Sequence, residues 1–205
     1  MHLGRNDHGV FAEHAGYFGL ADIDLSRFVP RRLSMPVVLG HHAVEHSQIT
    51  KQADVVMALV LLDELHDRNT VAANLDYYVP RTDHGSSLSL AVHSLAASRV
   101  GRTGQAYEFF RRAAAIDLAD AMSNGHHGVH AATQGGLLQA ALTGFAGLHL
   151  DGDQPHLEPR LPEHWRSLGF SFVYQGKRYE REARGSKPTR RDESLRVEPE
   201  RGGYK

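Results

Sequence analysis

A nearly unbroken apolar segment, "ADVVMALVLLDEL" at 53–65, constrains the fold of this chain more than any other feature. Its length and composition predict a helix over 51–65 that is apolar almost all round. Such a helix is stable only when neighbouring elements cover most of its surface. The segment therefore predicts a mainly α-helical fold in which this helix lies in the interior.

Four further helices are predicted from apolar periodicity and from the polar or glycine-containing breaks between the periodic stretches. They cover about 70–78, 86–99, 103–120 and 137–148. Polar loops join the helices in pairs, which is typical of an array or toroid of helical hairpins. Five helices cannot close a toroid, so the chain is expected to be part of a larger body that covers its apolar helix faces.

The regions on either side of the helices have other patterns. Residues 1–50 mix aromatic residues, glycines and prolines without a helical period, which predicts a long loop laid over the helices. The runs "GFSFVY" and "KRYEREA" alternate like a β-hairpin and predict a small β domain over 148–184. Residues 185–205 are charged and poor in apolar residues, which predicts a disordered tail. The helical domain thus spans 1–147, with the helices in 51–147.

Composition excludes several classes of protein. The chain has no cysteine, so disulfides and thiolate zinc sites are excluded. A formal net charge of −1 argues against a nucleic-acid surface. The longest apolar run is broken by acids well short of a membrane span, and no basic-then-apolar leader opens the chain. We therefore expect a cytoplasmic location, without nucleic-acid or membrane partners.

Three polar loops precede predicted helices: "SQITKQAD", "TDHGSSLS" and "NGHHGVHAATQGG". Helix N-termini present free N–H groups and a partial positive charge, so anions bind there readily. Ser86 and Ser87 add hydroxyls, Lys51 adds a positive charge and His130 adds a ring N–H. These groups could bind a phosphate or the hydroxyls of a sugar. The alternatives are that the serines only cap a helix and that Lys51 and Gln52 form a solvated first turn.

Fifteen histidines raise the question of a metal site. His126 and His130 are four residues apart, but their loop lacks the helical context of a zinc-binding H-E-x-x-H motif, and no carboxylate is near in sequence. We expect these histidines to be loop residues or buried hydrogen-bonding partners, and the sequence predicts no metal site.

Several stretches, taken in order, resemble one known family. They are "GVFAEHAGYFGLADIDL", "TKQADVVMALVLL", "TDHGSSLSLAVHSLAA", "GQAYEFFRRAAAIDLAD", "GVHAATQGGLLQAALTGFAGL" and "PRLPEHWRSLGFSFVYQGK". Their order and spacing over about 8–180 resemble the C-terminal part of glycoside hydrolase family 65, which includes phosphorylases of maltose, trehalose and kojibiose and the acid trehalases. The resemblance implies the last part of an (α/α)6 barrel, followed by a small C-terminal β-sheet piece.

The chemistry that the resemblance implies is inverting phosphorolysis of an α-glucoside. A glutamic acid protonates the glycosidic oxygen, and phosphate attacks the anomeric carbon from the opposite face to give β-glucose 1-phosphate. By this resemblance Lys51 and Gln52 bind the sugar, and Ser86, Ser87 and His130 bind phosphate. Inorganic phosphate is then the co-substrate, and no other cofactor is implied. The loop offers histidine but no carboxylate, which favours phosphorolysis over hydrolysis.

The family's general-acid glutamate lies upstream of the Lys-Gln pair, in a stretch that this chain does not contain. Glu13 and Glu45 belong to the loop that follows the acid in the family, so neither is nominated and no catalytic residue is predicted here. The chain is therefore expected to be inactive alone, with the missing upstream barrel or a homodimer partner completing it. The alternatives are a trehalase-like hydrolase fragment, a sugar- or phosphate-binding remnant without turnover and a histidine-rich metal-binding protein. The sequence does not indicate which disaccharide is used.

Overall fold

The structure is a computed structural model, and it describes residues 4–29, 33–84, 86–123, 125–150 and 152–185. Apart from Gly185, the predicted disordered tail at 185–205 lies outside the described residues. None of the helices within the described ranges is long and apolar enough to cross a membrane.

Within the described ranges, seven α-helices precede four short strands, and this part of the chain is mainly helical, as predicted. The helices are α1 (Met35–Leu39), α2 (His41–Glu45), α3 (Asp54–Leu61), α4 (Arg68–Tyr78), α5 (Ser89–Arg99), α6 (Thr103–Leu118) and α7 (Ala131–Gln139). A π-helical turn, Ala140–Phe145, continues α7. The strands are β1 (Leu148–His149), β2 (His156–Leu157), β3 (Ser167–Tyr174) and β4 (Lys177–Arg184).

Helix α5 forms the centre of the helical block, since every residue from 89 to 98 is buried. Its small side chains allow close approach of the neighbouring helices. A Cβ atom built on Gly136 of α7 would lie 2.8 Å from Ala91 Cβ. On another side, the Ser94 hydroxyl donates a hydrogen bond of 2.9 Å to the Ala106 carbonyl of α6. Glycine, alanine and serine at these positions therefore set the spacing of the block.

Helices α3, α5 and α7 run in the same direction. Residues 50 and 82, which precede α3 and α5, are joined by a parallel bridge, and the far ends of both helices meet where Arg99 donates to the Val60 carbonyl. Helix α7 and the π-helical turn that continues it run alongside α5. Thr133 contacts Ser87 near the start of α5, and Gly144 lies beside Ser98 near its end. Helices α4 and α6 return in the opposite direction. The N-termini of three parallel helices therefore gather at one end of the block.

The apolar segment that was predicted as a helix over 51–65 forms a shorter helix, and both of its predicted ends are wrong. Lys51 and Gln52 lie in a bend before α3, because Thr50 is held beside Thr82. Only one face of α3 is buried, through Val56, Leu59 and Val60. The leucines at its far end, Leu61, Leu62 and Leu65, are 59%, 51% and 71% exposed. An apolar surface that the sequence predicts to be interior is thus uncovered in this chain.

The N-terminal segment crosses the helical block as an irregular layer, as predicted, but it contains α1 and α2, which were not predicted. Side chains of α4 hold it in place. The Tyr78 hydroxyl donates to the Phe11 carbonyl at 2.5 Å, and the Asn74 side-chain oxygen accepts from Phe11 N–H at 2.9 Å. Tyr17 packs on Tyr78 and donates to the Gln48 carbonyl.

The predicted hairpin is confirmed. Strands β3 and β4 pair antiparallel from Ser167–Arg184 to Tyr174–Lys177. Gln175 and Gly176 form the turn, both with positive φ, as in the tight turns that suit hairpin twist. Strands β1 and β2 pair separately. Trp165 packs edge-on against Phe110 and Phe145, which joins the region before the hairpin to the helical core.

Candidate functional site

The structure explains why so many polar residues precede α5. Asp83 is 3% exposed, and both of its carboxylate oxygens accept from Met35 N–H, at 3.0 and 3.1 Å. The Thr82 hydroxyl donates to the Tyr78 carbonyl at 2.8 Å. His84 is in the left-handed region, with its Nδ1 2.9 Å from Ser89 Oγ. These three residues are therefore structural, and Asp83 attaches α1 to the helical block.

Ser86 and Ser87 have different surroundings. Helix α5 begins at Ser89, three residues later than predicted, and the Ser86 hydroxyl oxygen accepts from Leu88 N–H at 3.3 Å. Ser86 thus acts partly as a cap. The Ser87 carbonyl accepts from the Thr133 hydroxyl at 2.9 Å, whereas no described residue hydrogen-bonds its own hydroxyl. Of the two predicted phosphate-binding serines, Ser87 is the one whose side chain has no structural role.

His130 is the residue that precedes α7, and Asp117 at the end of α6 holds it. The His130 ring Nδ1 lies 2.6 Å from an Asp117 oxygen. The His130 backbone N–H donates to both Asp117 oxygens, at 3.2 Å each. Gln134 donates to the same carboxylate at 2.6 Å. The hydrogen bonds from His130 and then from Gln134 keep the pKa of Asp117 below its ordinary value. The loop itself offers no carboxylate, but packing of α6 against the loop brings Asp117 to the His130 ring.

Lys51 and Gln52 lie at the same end of the block as Ser87 and His130. The bridge between Thr50 and Thr82 places the Lys-Gln pair beside the loop before α5, and the Thr133–Ser87 hydrogen bond places the start of α7 beside that loop. Lys51 is exposed and Gln52 is half-buried. The structure thus gathers the sequence-predicted site residues at the end where three parallel helices begin. In chemical terms, helix N–H groups, a hydroxyl, an ammonium and an imidazole are all groups of the kinds that bind anions.

His93 lies beneath this end, on α5, and is fully buried. Its ring contacts His84 and Phe109 at centroid distances of 5.3 and 5.4 Å. Burial lowers the pKa of His93 to about 3, so the ring is neutral at physiological pH. His93 therefore supports His84 by packing and contributes no charge.

Glu13 is partly buried beside the start of α3. One of its carboxylate oxygens is buried without a hydrogen-bond partner among the described residues. Burial, followed by repulsion from Asp54, raises the pKa of Glu13 from 4.5 to about 7. The folded chain therefore retains a proton on Glu13 at a pH where the unfolded chain has lost it.

The raised pKa of Glu13 predicts a pH-dependent stability. Because the folded pKa exceeds the unfolded one, the free energy of unfolding falls as the pH rises from about 4.5 through 7. We expect Glu13→Gln to raise the free energy of unfolding at pH 8 by about 1 kcal/mol after allowance for solvent screening, and to change it little at pH 4.5. Urea unfolding at the two pH values measures this. Glu45→Gln, at an exposed position on α2, is the matched control, and an equal response of both variants would contradict the assignment.

Comparison with protein families gives two consecutive matches. Residues 1–139 match the model of the glycosyl hydrolase family 65 central catalytic domain. Residues 148–189 match the model of the C-terminal domain of the same family. The gap between the matches, residues 140–147, contains the π-helical turn, and the second match begins with β1.

Several curated relatives with this sequence pattern are disaccharide phosphorylases. The chain is 36% identical over 170 residues to kojibiose phosphorylase of Escherichia coli K12, covering 82% of this chain and 22% of that protein. It is 35% identical over 189 residues to nigerose phosphorylase of Lachnoclostridium phytofermentans, covering 87% and 25%. It is 38% identical over 145 residues to α,α-trehalose phosphorylase of Thermoanaerobacter brockii, covering 70% and 19%. The chain thus spans a quarter or less of the length of these relatives.

A solved structure supports the same relationship. A protein from the human microbiome that is assigned as a kojibiose phosphorylase superposes with a TM-score of 0.81 at 26% identity. The superposition covers 90% of this chain and 25% of that protein. The helical block and the strands that follow it therefore have the arrangement of the C-terminal quarter of a much longer chain.

Proposed function

The chain belongs to glycosyl hydrolase family 65, and on that basis we propose that it is the phosphate-binding C-terminal quarter of an inverting α-glucoside phosphorylase. The observation that carries the proposal is the gathering of Lys51, Ser87 and His130 where α3, α5 and α7 begin. The Ser87 hydroxyl and the His130 imidazole would supplement the partial positive charge of the helix N-termini in holding phosphate, and the Lys51 ammonium lies at the same end, where the sugar would bind.

In the proposed reaction, a phosphate oxygen attacks the anomeric carbon from the face opposite the scissile bond. The bond to the glycosidic oxygen breaks, and that oxygen takes a proton from a general acid. The products are β-glucose 1-phosphate and the released sugar. Phosphate is already a nucleophile, so the site needs to hold and orient it rather than deprotonate it. Ser87 and His130 would orient the phosphate, while Lys51 and Gln52 would contact the sugar.

We place the general-acid glutamate outside this chain, in the part of the relatives that it does not span. General acid catalysis is worth about 10²–10⁴-fold, so the chain is proposed to be inactive by itself. Its expected partner is the remainder of the helical barrel. The exposed leucines at the end of α3 and just beyond it, at positions 61, 62 and 65, form a suitable contact surface for it. The cytoplasmic location stays a prediction from the sequence.

Hydrolysis is the second candidate, because Asp117 provides a carboxylate beside His130. A hydrolase requires a base that accepts a proton from water, and the best base has a pKa near the working pH. Asp117 fits this role poorly. Its two oxygens accept hydrogen bonds from His130 and Gln134, and its pKa is held below the ordinary value. The Asp117 carboxylate is therefore better suited to hold His130 than to activate water.

A fusion enzyme tests the proposal. The upstream part of E. coli kojibiose phosphorylase, about three quarters of that protein, would be joined to this chain at the start of the matched region. We expect the fusion to release β-glucose 1-phosphate from kojibiose, nigerose or trehalose only when phosphate is present, and we expect the 205-residue chain alone to release none. Release of glucose at the same rate without phosphate would support hydrolysis instead. The upstream part alone is the control for residual activity.

A further inference from the structure

Three potential metal ligands share one face of the β1–β2 ribbon. His149 on β1 lies directly opposite His156 on β2, and Glu158 follows His156 by two residues. Since side chains alternate between the two faces of a strand, His156 and Glu158 project from the same face. Leu148, the residue before His149 on β1, projects from the opposite face of the ribbon and is buried. The ribbon thus directs two imidazoles and one carboxylate away from the core.

The three side chains converge. The two imidazole rings are stacked with their centroids 4.8 Å apart and their planes 6° from parallel. One nitrogen of each histidine and one oxygen of Glu158 all lie within 4.8 Å of one another. Moreover, His149 Nε2 is buried and has no hydrogen-bond partner among the described residues. A buried ring nitrogen without a partner is uncommon and requires an explanation.

We propose that His149, His156 and Glu158 form a binding site for Zn²⁺. Two imidazole nitrogens and a carboxylate oxygen are a common zinc ligand set, with water in the fourth position. Zinc–ligand bonds of about 2.1 Å place tetrahedral ligands about 3.4 Å apart, so the side chains must rotate toward one another to bind the ion. The site lies outside the proposed phosphate-binding residues and does not depend on the proposed function.

The surroundings of Glu158 suit a ligand role. Its backbone pairs with Gly147, which has no side chain to compete for the space beside His149. The Arg160 guanidinium donates to Glu158 Oε2 at 2.7 Å, and Arg68 lies 3.5 Å from the same oxygen. Hydrogen bonds to a ligating carboxylate fix its orientation, as around known metal sites. The two guanidinium groups also repel a cation, so we expect micromolar rather than nanomolar affinity.

Calorimetric titration of the purified 205-residue chain with Zn²⁺ tests the site. We expect one zinc ion to bind tightly per chain and to raise the melting temperature. His156 is exposed, so His156→Gln should leave the far-ultraviolet circular dichroism spectrum unchanged while it weakens zinc binding by about tenfold or more. Glu158→Gln should also weaken binding. X-ray absorption of the zinc-loaded chain should show two imidazole ligands.

The control addresses the other histidines. His42 on α2 and His46 directly after it stack with their ring centroids 4.2 Å apart, and both are exposed, so this pair could also attract zinc. His46→Gln is expected to leave the tight site intact. Unchanged zinc affinity in His156→Gln, or loss of the tight site in His46→Gln alone, would overturn the proposal.

Discussion

Replacing Ser87 and His130 together by alanine in the fusion enzyme is expected to lower kcat/KM for phosphate by about 10²-fold or more. Each side chain would hydrogen-bond the phosphate, and hydrogen bonds to charged groups are worth about 1.5–3 kcal/mol each. The Ser87 hydroxyl has no partner among the described residues, and Asp117 already orients the His130 ring. Ser87→Ala removes no hydrogen bond to a described residue, whereas His130→Ala removes the ring contact with Asp117 and leaves the two backbone N–H hydrogen bonds in place, so folding of the double variant is checked by circular dichroism.

The measurement is initial rate against phosphate concentration at saturating disaccharide, followed by the reverse titration. A phosphate-binding role raises the KM for phosphate far more than the KM for the disaccharide. The control is a double substitution at exposed positions of the C-terminal piece, Ser171→Ala with His164→Ala, which is expected to change neither value. Equal rises in the two KM values would contradict a phosphate-specific role for Ser87 and His130.

Sequence periodicity was sufficient to predict the helical class, the hairpin and the approximate positions of α4 and α6, because those elements are determined by local pattern. It did not predict the residues at which several of the helices begin and end. The loop predicted over 124–136 is wrong in its second half, since α7 already begins at Ala131. The start of α3 was placed too early because the bridge between Thr50 and Thr82 is a contact over 32 residues. No local signal reveals such a contact.

The candidate site depends on local and distant contacts alike. Helix N-termini and polar loops are visible in the sequence, so Lys51, Ser86, Ser87 and His130 could be nominated from it, and their roles stay predictions. Asp83 and Asp117 were missed because their partners, Met35 and His130, are distant in sequence. The zinc candidate was missed because His149 and His156 become neighbours only once the register of β1 and β2 is known. The sequence hints at the contact between Asp117 and His130 in one way: Asp117 lies near the end of a predicted helix, shortly before a histidine-rich loop.

Gly147→Ala is expected to lower the free energy of unfolding by about 4 kcal/mol or more, a loss that few single substitutions produce. Gly147 has φ +61 and lies between the helical block and β1. A Cβ atom there would lie 2.0 Å from the Glu158 carbonyl oxygen and 2.5 Å from its carbon. These are backbone atoms of the residue that directly follows β2, and the Gly147 carbonyl accepts from Glu158 N–H at 2.9 Å. Relief of the overlap therefore requires separation of β1 from β2.

Gly176→Ala in the hairpin turn separates two causes of the lower stability expected for Gly147→Ala. One cause is the left-handed backbone conformation, and the other is the overlap with Glu158. Gly176 also has a positive φ, +75, but a Cβ atom there would meet nothing within 4 Å. Its substitution should cost only the left-handed backbone conformation, about 1–2 kcal/mol. Urea unfolding of both variants gives the difference, which we attribute to the overlap with Glu158. A Gly147→Ala loss no larger than that of Gly176→Ala would show that the ribbon shifts to accept the methyl group. The close approach of β2 to Gly147 would then not be what fixes the C-terminal piece to the helical block.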